Sequence, residues 1–70
     1  MKIMALGGGG CQLNLLRRLR QQNDEIILID YLPDCPGRVY ADIHLPISTF
    51  DIPAVIEAAR EYAVEGIVTT

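Results

Sequence analysis

The sequence has no tryptophan, one phenylalanine, one histidine and two cysteines. Two cysteines without a Cys-x-x-Cys spacing are too few for a disulfide-stapled scaffold, so we expect a reducing compartment, the cytoplasm. The single histidine, His44, has no second ligand at helical or turn spacing, so no metal site is predicted. The sequence also lacks a Walker Gly-Lys-Ser/Thr motif and a pair of carboxylates arranged for acid–base work, so no catalytic residue is predicted.

Long apolar runs and an excess of basic residues are absent as well. The run at residues 26–29 is far shorter than the roughly 20 residues that span a bilayer, and the run at residues 3–6 is too brief for a signal peptide. No membrane partner is therefore predicted. Six basic residues against nine acidic ones give a net charge of −3, which disfavours a nucleic-acid module held by phosphate charge.

What the sequence does contain is a pattern of short strands and helices. Half of the 70 residues are hydrophobic, which is too apolar for a disordered segment. Residues 2–6 predict a strand that leads into four glycines, and Leu13, Leu16 and Leu19 then mark one face of a helix that ends near Asn23. Residues 25–30 predict a second strand, whose unbroken apolar core is typical of a parallel sheet covered on both faces.

The second half of the sequence repeats this order. Residues 31–40 predict a loop, and residues 43–47 predict a short edge strand, because Pro46 cannot donate to a ladder. Asp51 is the predicted N-cap of a second helix, and Pro53 lies in its first turn. The apolar face predicted for this helix comprises Ile52, Val55, Ile56, Ala59 and Tyr62.

A fourth strand is predicted at residues 67–70, after Gly66 ends the helical segment, and no helix follows to cover it. Because a parallel sheet needs both faces covered, we expect a Rossmann-like three-layer αβα fold with a small parallel sheet that is incomplete at its C-terminus. Residues 1–70 would then form one N-terminal domain, a fragment of a longer chain.

The glycine run, Gly7 to Gly10, is the strongest candidate for a binding site. A turn between a strand and a helix N-terminus presents backbone N–H groups to phosphate or carboxylate. Gly8-x-Gly10 followed by Asp30 is similar to the dinucleotide fingerprint, although Leu13 stands where its third glycine belongs. A tight turn with nothing bound is the alternative, and Asp30 could equally be a strand-end capping acid.

The residues beside this run allow two interpretations each. Cys11 begins the predicted helix, but no histidine lies nearby in sequence to serve as its base, so a small buried apolar residue is the expectation for both Cys11 and Cys35. Gln12 could donate its amide to a substrate or satisfy the backbone of the turn. Arg38 could bring a cation near the turn, with a solvated side chain as the simpler interpretation.

Three segments together resemble a known family. They are Leu-Gly-Gly-Gly-x-x-Gln-Leu at residues 6–13, Asp-Tyr-x-Pro-x-x-Pro-Gly at residues 30–37, and Tyr-Ala-Asp at residues 40–42. With these three segments in this order, the sequence resembles the N-terminal domain of ATP-grasp enzymes, and the resemblance covers the whole length of the sequence. This pre-ATP-grasp domain is similar to the N-terminal domain of biotin carboxylase, and the nearest resemblance is to the carbamoyl-phosphate-synthase-like group.

The resemblance implies a domain that packs against its own downstream ATP-grasp lobes. Those lobes would bind ATP and Mg²⁺ and join a carboxylate to an amine or thiol through an acylphosphate, so the chain itself would hold no cofactor and would not be catalytic alone. The implied substrate is a small-molecule carboxylate. The residues implied to bind it are Gly7, Gly8, Gly9, Gly10, Gln12, Asp30, Pro36 and Gly37.

Two other functions remain open at this stage. One is a nicotinamide-dinucleotide-binding Rossmann fragment of a dehydrogenase or regulatory domain, against which Leu13 argues. The other is a non-catalytic interaction module with an empty glycine turn. Such a module would bury its exposed strand and uncovered sheet face in a homodimer.

Overall fold

A computed structural model describes residues 1–69 of the chain. It contains one all-parallel sheet of four strands in the order β3-β2-β1-β4. The elements in chain order are β1 (Lys2–Leu6), α1 (Leu13–Gln21), β2 (Glu25–Ile29), β3 (Ile43–Leu45), α2 (Ile52–Glu61) and β4 (Gly66–Val68), with 3-10 turns at Gly10–Gln12 and Pro36–Tyr40. This is a small Rossmann-like α/β fold, and the predicted fold class is confirmed.

Burial on both faces explains the apolar sequence of β2. Ile26 and Leu28 pack on the side of α1, whereas Ile27 and Ile29 pack on the side of α2, and none of the four is exposed to solvent. Alternate residues of a strand point to opposite faces, so an unbroken run of large apolar residues fills two cores at once. The two helices therefore lie on opposite faces of the sheet.

Helix α1 ends where the sequence predicts, but it begins at Leu13 and not at Cys11, because residues 10–12 form a 3-10 turn first. Leu16 is fully buried against the sheet, and Leu19 is packed beside it. The helix stops before Asn23, whose φ of 62° is a left-handed conformation that asparagine tolerates. Arg20 links the helix to the chain before β3 through an ion pair with Asp42, in which Nη1 lies 2.7 Å from both carboxylate oxygens.

Helix α2 is capped as predicted, but its predicted apolar face is only partly correct. The Asp51 carboxylate accepts a hydrogen bond from the Ala54 N–H at 3.3 Å. Val55 and Ala58 face the sheet, whereas Ile52 and Ile56 are 60% and 46% exposed. Ile52 is the first residue of the helix, and Ile56 lies beside Ile67 of the edge strand β4, where no further strand of the described sheet covers it.

Other boundaries differ from the prediction. Residues 36–40 form a 3-10 turn where a loop is expected, because Pro36 presets φ at the first position of that turn. β3 lies at the edge as predicted but ends at Leu45, before Pro46. The helical segment ends near Ala63, which has a φ of 51°, and Gly66 begins β4. The prediction for Thr70 lies outside the described residues.

Helices α1 and α2 are 9 and 10 residues long. Over residues 1–69, none of them combines the length and the apolar character that a bilayer crossing demands.

Candidate functional site

The glycine turn, Gly7 to Gly10, lies at the carboxyl end of β1, in the middle of the sheet. The chain leaves β1 toward β2 on one side, and β4 returns on the other side. This reversal of strand order is a topological switch point, where parallel α/β sheets open a crevice for ligands. The glycine turn and the first 3-10 turn, Gly10–Gln12, follow β1 at this switch point.

The first two glycines are held tightly by β2. Gly7 has a φ of 98°, which side chains rarely tolerate, and its N–H donates to the Ile29 carbonyl at 2.7 Å. The Gly8 N–H donates to Asp30 Oδ2 at 2.7 Å, and Asp30 Oδ1 accepts from the Leu32 N–H at 2.8 Å. Asp30 therefore fixes the glycine turn and the loop after β2 with one carboxylate.

Gln12 closes the turn from the side of the helix. It is 4% exposed, and its amide nitrogen donates to the Leu6 carbonyl at 2.8 Å and to the Gly7 carbonyl. These bonds give the two carbonyls at the end of β1 a buried side-chain donor. The amide nitrogen of Gln12 therefore satisfies the backbone of the turn, which is the second of the two interpretations given for this residue.

The second 3-10 turn packs directly on the glycine turn. The Gly37 N–H donates to the Gly8 carbonyl at 2.7 Å. A Cβ at Gly37 would meet the Leu16 side chain and lie 3.0 Å from the Gly8 Cα, so only glycine fits this approach. Gly37, Asp30 and Gln12 are thus brought together around Gly8, whereas Pro36 is exposed.

Cys35 lies beneath the turn, a position that the spacing of the sequence does not reveal. A Cβ on Gly8 would lie only 2.9 Å from Cys35 Sγ, and the cysteine is 5% exposed. His44 Nε2 is 3.0 Å from the Asp30 carbonyl oxygen and 3.9 Å from Cys35 Sγ. The only available signal was that Cys35 follows β2 and His44 lies in β3, and neighbouring parallel strands end at the same edge.

Burial raises the pKa of the Cys35 thiol, and the negative charge of Asp30 raises it further. The thiol is accordingly a protonated packing group, as the sequence predicts for Cys35. The same prediction is wrong for Cys11, which is exposed. The 3-10 turn directs Gln12 inward and leaves Cys11 on its outer side.

The outer half of the glycine turn has a different character. Gly9 has φ −74° and ψ 175°, an ordinary extended conformation, and both Gly9 and Gly10 are exposed. A Cβ at either residue would meet nothing within 4 Å. The 3-10 turn begins at Gly10, and the first N–H groups of such a turn have no acceptor within it. Neither backbone conformation nor packing of the chain requires glycine at these two positions.

Charged groups near the site are few. Arg38 is 59% exposed and pairs at 3.5 Å with Asp34 of its own loop, consistent with a solvated side chain. Among residues 1–69, no three His, Cys, Asp or Glu side chains converge as metal ligands. The site therefore consists of backbone N–H groups supported by the buried Gln12 and Gly37 and by the part-buried carboxylate of Asp30.

Comparison with known proteins does not assign this chain to a family. No protein-family model matches the sequence, and no curated protein matches it closely enough to count as a relative.

Proposed function

We propose that this chain is the substrate-positioning N-terminal domain of an ATP-grasp ligase, in which the glycine turn binds the carboxylate of a small-molecule substrate. The observation that supports it most is the open outer half of the turn. Gly9 and Gly10 have no conformational or packing need to be glycine. Their lack of side chains leaves the backbone accessible to a ligand, which is the condition for binding an anion by N–H groups.

The surrounding residues have supporting roles in this proposal. Asp30, Gln12 and Gly37 hold the turn by three separate hydrogen bonds, to the Gly8 N–H, the Gly7 carbonyl and the Gly8 carbonyl respectively. Such a framework keeps the N–H groups of Gly9, Gly10 and Cys11 in one orientation before the substrate arrives, and this preorganisation strengthens binding. None of the three framework residues needs to contact the substrate.

The reaction class comes from the sequence resemblance alone. An ATP-grasp ligase would convert the bound carboxylate to an acylphosphate in its other lobes, with ATP and Mg²⁺. Since residues 1–69 contain no converging set of metal ligands, the proposal assigns this chain no step that involves ATP or the metal. Its contribution is to bind and orient the carboxylate.

The proposal is tested by titrating the ¹⁵N-labelled chain with acetate, bicarbonate, inorganic phosphate and NADH while recording amide spectra. We expect carboxylates to shift the amide signals of Gly9, Gly10 and Cys11 in a saturable way. Gly9→Val should weaken that binding with the fold intact, because a side chain there meets no protein atom. Gly66→Ala, a glycine substitution at the amino end of β4, is the matched control and should bind as the wild type does.

The outcomes separate the candidate functions. Saturable binding of NADH in preference to carboxylates would favour the dinucleotide alternative, in which Asp30 contacts a ribose. Absence of any shift at the turn would contradict both. Within an ATP-grasp ligase that contains this domain, Gly9→Val should raise the KM for the carboxylate and leave the KM for ATP unchanged; an equal rise in both would contradict the positioning role.

A further inference from the structure

Asp30 links the loop after β2 to the glycine turn, and each of its polar groups has a partner. Its N–H donates to the Leu45 carbonyl at 3.2 Å, and its carboxylate accepts from the N–H groups of Gly8 and Leu32 at 2.7 and 2.8 Å. Its carbonyl oxygen lies 3.0 Å from Nε2 of His44, a residue of β3. Contacts at the N–H, the carbonyl and both carboxylate oxygens keep the side chain of Asp30 in one orientation toward Gly8.

The contact from His44 takes the place of a bond that the sheet does not make. The hydrogen bonds of a parallel pair are evenly spaced, and alternate residues of a strand form them with a given neighbour. Because Leu45 accepts from the Asp30 N–H, the next donor along this chain would be the Ile47 N–H, and its acceptor would be the Asp30 carbonyl. The Ile47 N–H instead donates back to the Leu45 carbonyl at 2.8 Å, and β3 ends before Pro46. The side chain of His44 therefore supplies the donor that the strand does not provide.

The ring of His44 reaches this carbonyl from the α1 face of the sheet. His44 is paired in register with Leu28, whose side chain packs on the α1 face, and its Nε2 lies 3.9 Å from Cys35 Sγ. A carbonyl oxygen can only accept, so Nε2 carries a proton and donates it to Asp30. The same nitrogen cannot take a proton from Cys35, and burial and Asp30 raise the pKa of that thiol. His44 and Cys35 are therefore not a base and its nucleophile, and the contact with Asp30 is what the ring provides.

We propose that His44 is a positioning residue of the glycine turn, which holds Asp30 at its carbonyl so that the Asp30 carboxylate holds the Gly8 N–H. The imidazole acts through Asp30 and does not contact the ligand. With Gly8 fixed in this way, the N–H groups of Gly9 and Gly10 keep the orientation in which they meet an anion. The inference rests on the proposed function in one respect, that the ligand of the turn is a carboxylate; the chain of contacts from His44 to Gly8 is independent of it.

Two variants of similar size test the role of the ring donor. His44→Gln keeps an N–H donor in the side chain, whereas His44→Leu fills comparable space without one. Both should fold, because His44 is only half-buried in an edge strand. In amide spectra of the ¹⁵N-labelled chain, we expect the Gly8 signal to move upfield in His44→Leu, as its hydrogen bond to Asp30 lengthens, and to stay near the wild-type position in His44→Gln. Titration with acetate should give a Kd about two- to tenfold higher in His44→Leu, the effect of one lost hydrogen bond, and a Kd near the wild-type value in His44→Gln.

Ile43→Ala is the control for a loss of stability alone. Ile43 precedes His44 in the same strand but packs on the α2 face. This variant should lower the free energy of unfolding measured in urea, and it should leave the Gly8 signal and the Kd for acetate unchanged. An equal movement of the Gly8 signal in Ile43→Ala and His44→Leu would overturn the proposal, because any weakening of β3 would then have the same effect.

Long-range ¹H–¹⁵N spectra of the wild type examine the ring without any substitution. We expect the proton of the neutral imidazole on Nε2, and a proton on Nδ1 alone would overturn the proposal. The proposal is also wrong if His44→Leu keeps the wild-type Gly8 signal or the wild-type affinity for acetate, or if His44→Gln does not restore the Gly8 signal. A wild-type chain that binds no acetate would contradict the function proposed for the turn, whereas the Gly8 signals would still decide the role of His44.

Discussion

The four consecutive glycines divide into an inner pair, which the rest of the chain constrains, and an outer pair, which is exposed. Gly7 has a φ of 98°, and a side chain at Gly8 would lie 2.9 Å from Cys35 Sγ. Gly9 is in an ordinary extended conformation, and a side chain at Gly9 or Gly10 would meet nothing within 4 Å. The inner pair is therefore glycine because the fold requires it, whereas the outer pair is free for a purpose outside the chain.

The largest effect is expected from adding a methyl group to the inner pair. Gly8→Ala should lower the free energy of unfolding by about 2 kcal/mol, because the new Cβ overlaps Cys35 Sγ and the Leu28 side chain in a filled core. Urea unfolding monitored by circular dichroism measures this change. In a Cys35→Ala background the loss should be smaller by about 1 kcal/mol, since the sulfur is no longer there.

Gly37→Ala provides the control for this double mutant. It should also destabilise the fold, but Cys35→Ala should not relieve it, because a side chain at Gly37 meets Leu16 and the Gly8 backbone. Equal losses for Gly8→Ala in both backgrounds would show that the sulfur is not what requires glycine at that position.

The outer pair should respond in the opposite direction. Gly9→Ala should raise the free energy of unfolding by about 0.4–1 kcal/mol, because alanine restricts the unfolded chain and fits the native backbone without strain. The same urea experiment measures it. In the inner pair, by contrast, Gly7→Ala should lower the free energy of unfolding by about 1–2 kcal/mol, because Gly7 has a positive φ. A loss of stability in Gly9→Ala would contradict the division of the glycine turn into two pairs.

The smallest effect is expected in the pH dependence of the free energy of unfolding, to which Cys35, packed against Gly8, contributes. Burial and Asp30 raise the pKa of this thiol above its ordinary value of 9.0, so the folded state holds the proton more tightly than the unfolded state. The stability contributed by the protonated thiol is complete below pH 9.0 and declines as the pH rises through the folded pKa. Unfolding in urea between neutral and alkaline pH should show this decline in the wild type and in Cys11→Ala, and a shallower one in Cys35→Ala. Identical alkaline slopes in all three would contradict it.

Local patterns in the sequence were sufficient to predict most of the fold. The apolar run at residues 26–29 predicted a strand buried on both faces, and Asp51 with Pro53 predicted where α2 begins. These features depend on neighbouring residues only, through periodicity and capping. The position of α2 relative to the sheet depends on residues that are distant in sequence. For this reason the helical spacing wrongly assigned Ile52 and Ile56, which are exposed, to the buried apolar face.

The sequence predicted the location of the glycine turn in the fold, but it did not predict the difference between the inner and the outer pair of glycines. A glycine run after a first strand and an acid after the second predicted a turn beside Asp30, and the hydrogen bond from Gly8 to Asp30 joins the two. The sequence of four consecutive glycines does not show which of them contact other segments of the chain and which do not. The contact of Cys35 with Gly8 and the exposure of Cys11 likewise arise from packing between residues that are distant in sequence.

The framework that holds the glycine turn acts entirely from its inner side. The side chains of Asp30 and Gln12 and the N–H of Gly37 bond to the backbone at or before Gly8, whereas Gly9 and Gly10 accept only the local backbone bonds of the 3-10 turn, from the N–H groups of Gln12 and Leu13. Mutations at these two positions and at the exposed Cys11 therefore escape the usual conflict between gaining a new activity and keeping the fold. Substitutions can therefore change the outer surface of this turn one residue at a time, while the scaffold beneath it stays in place.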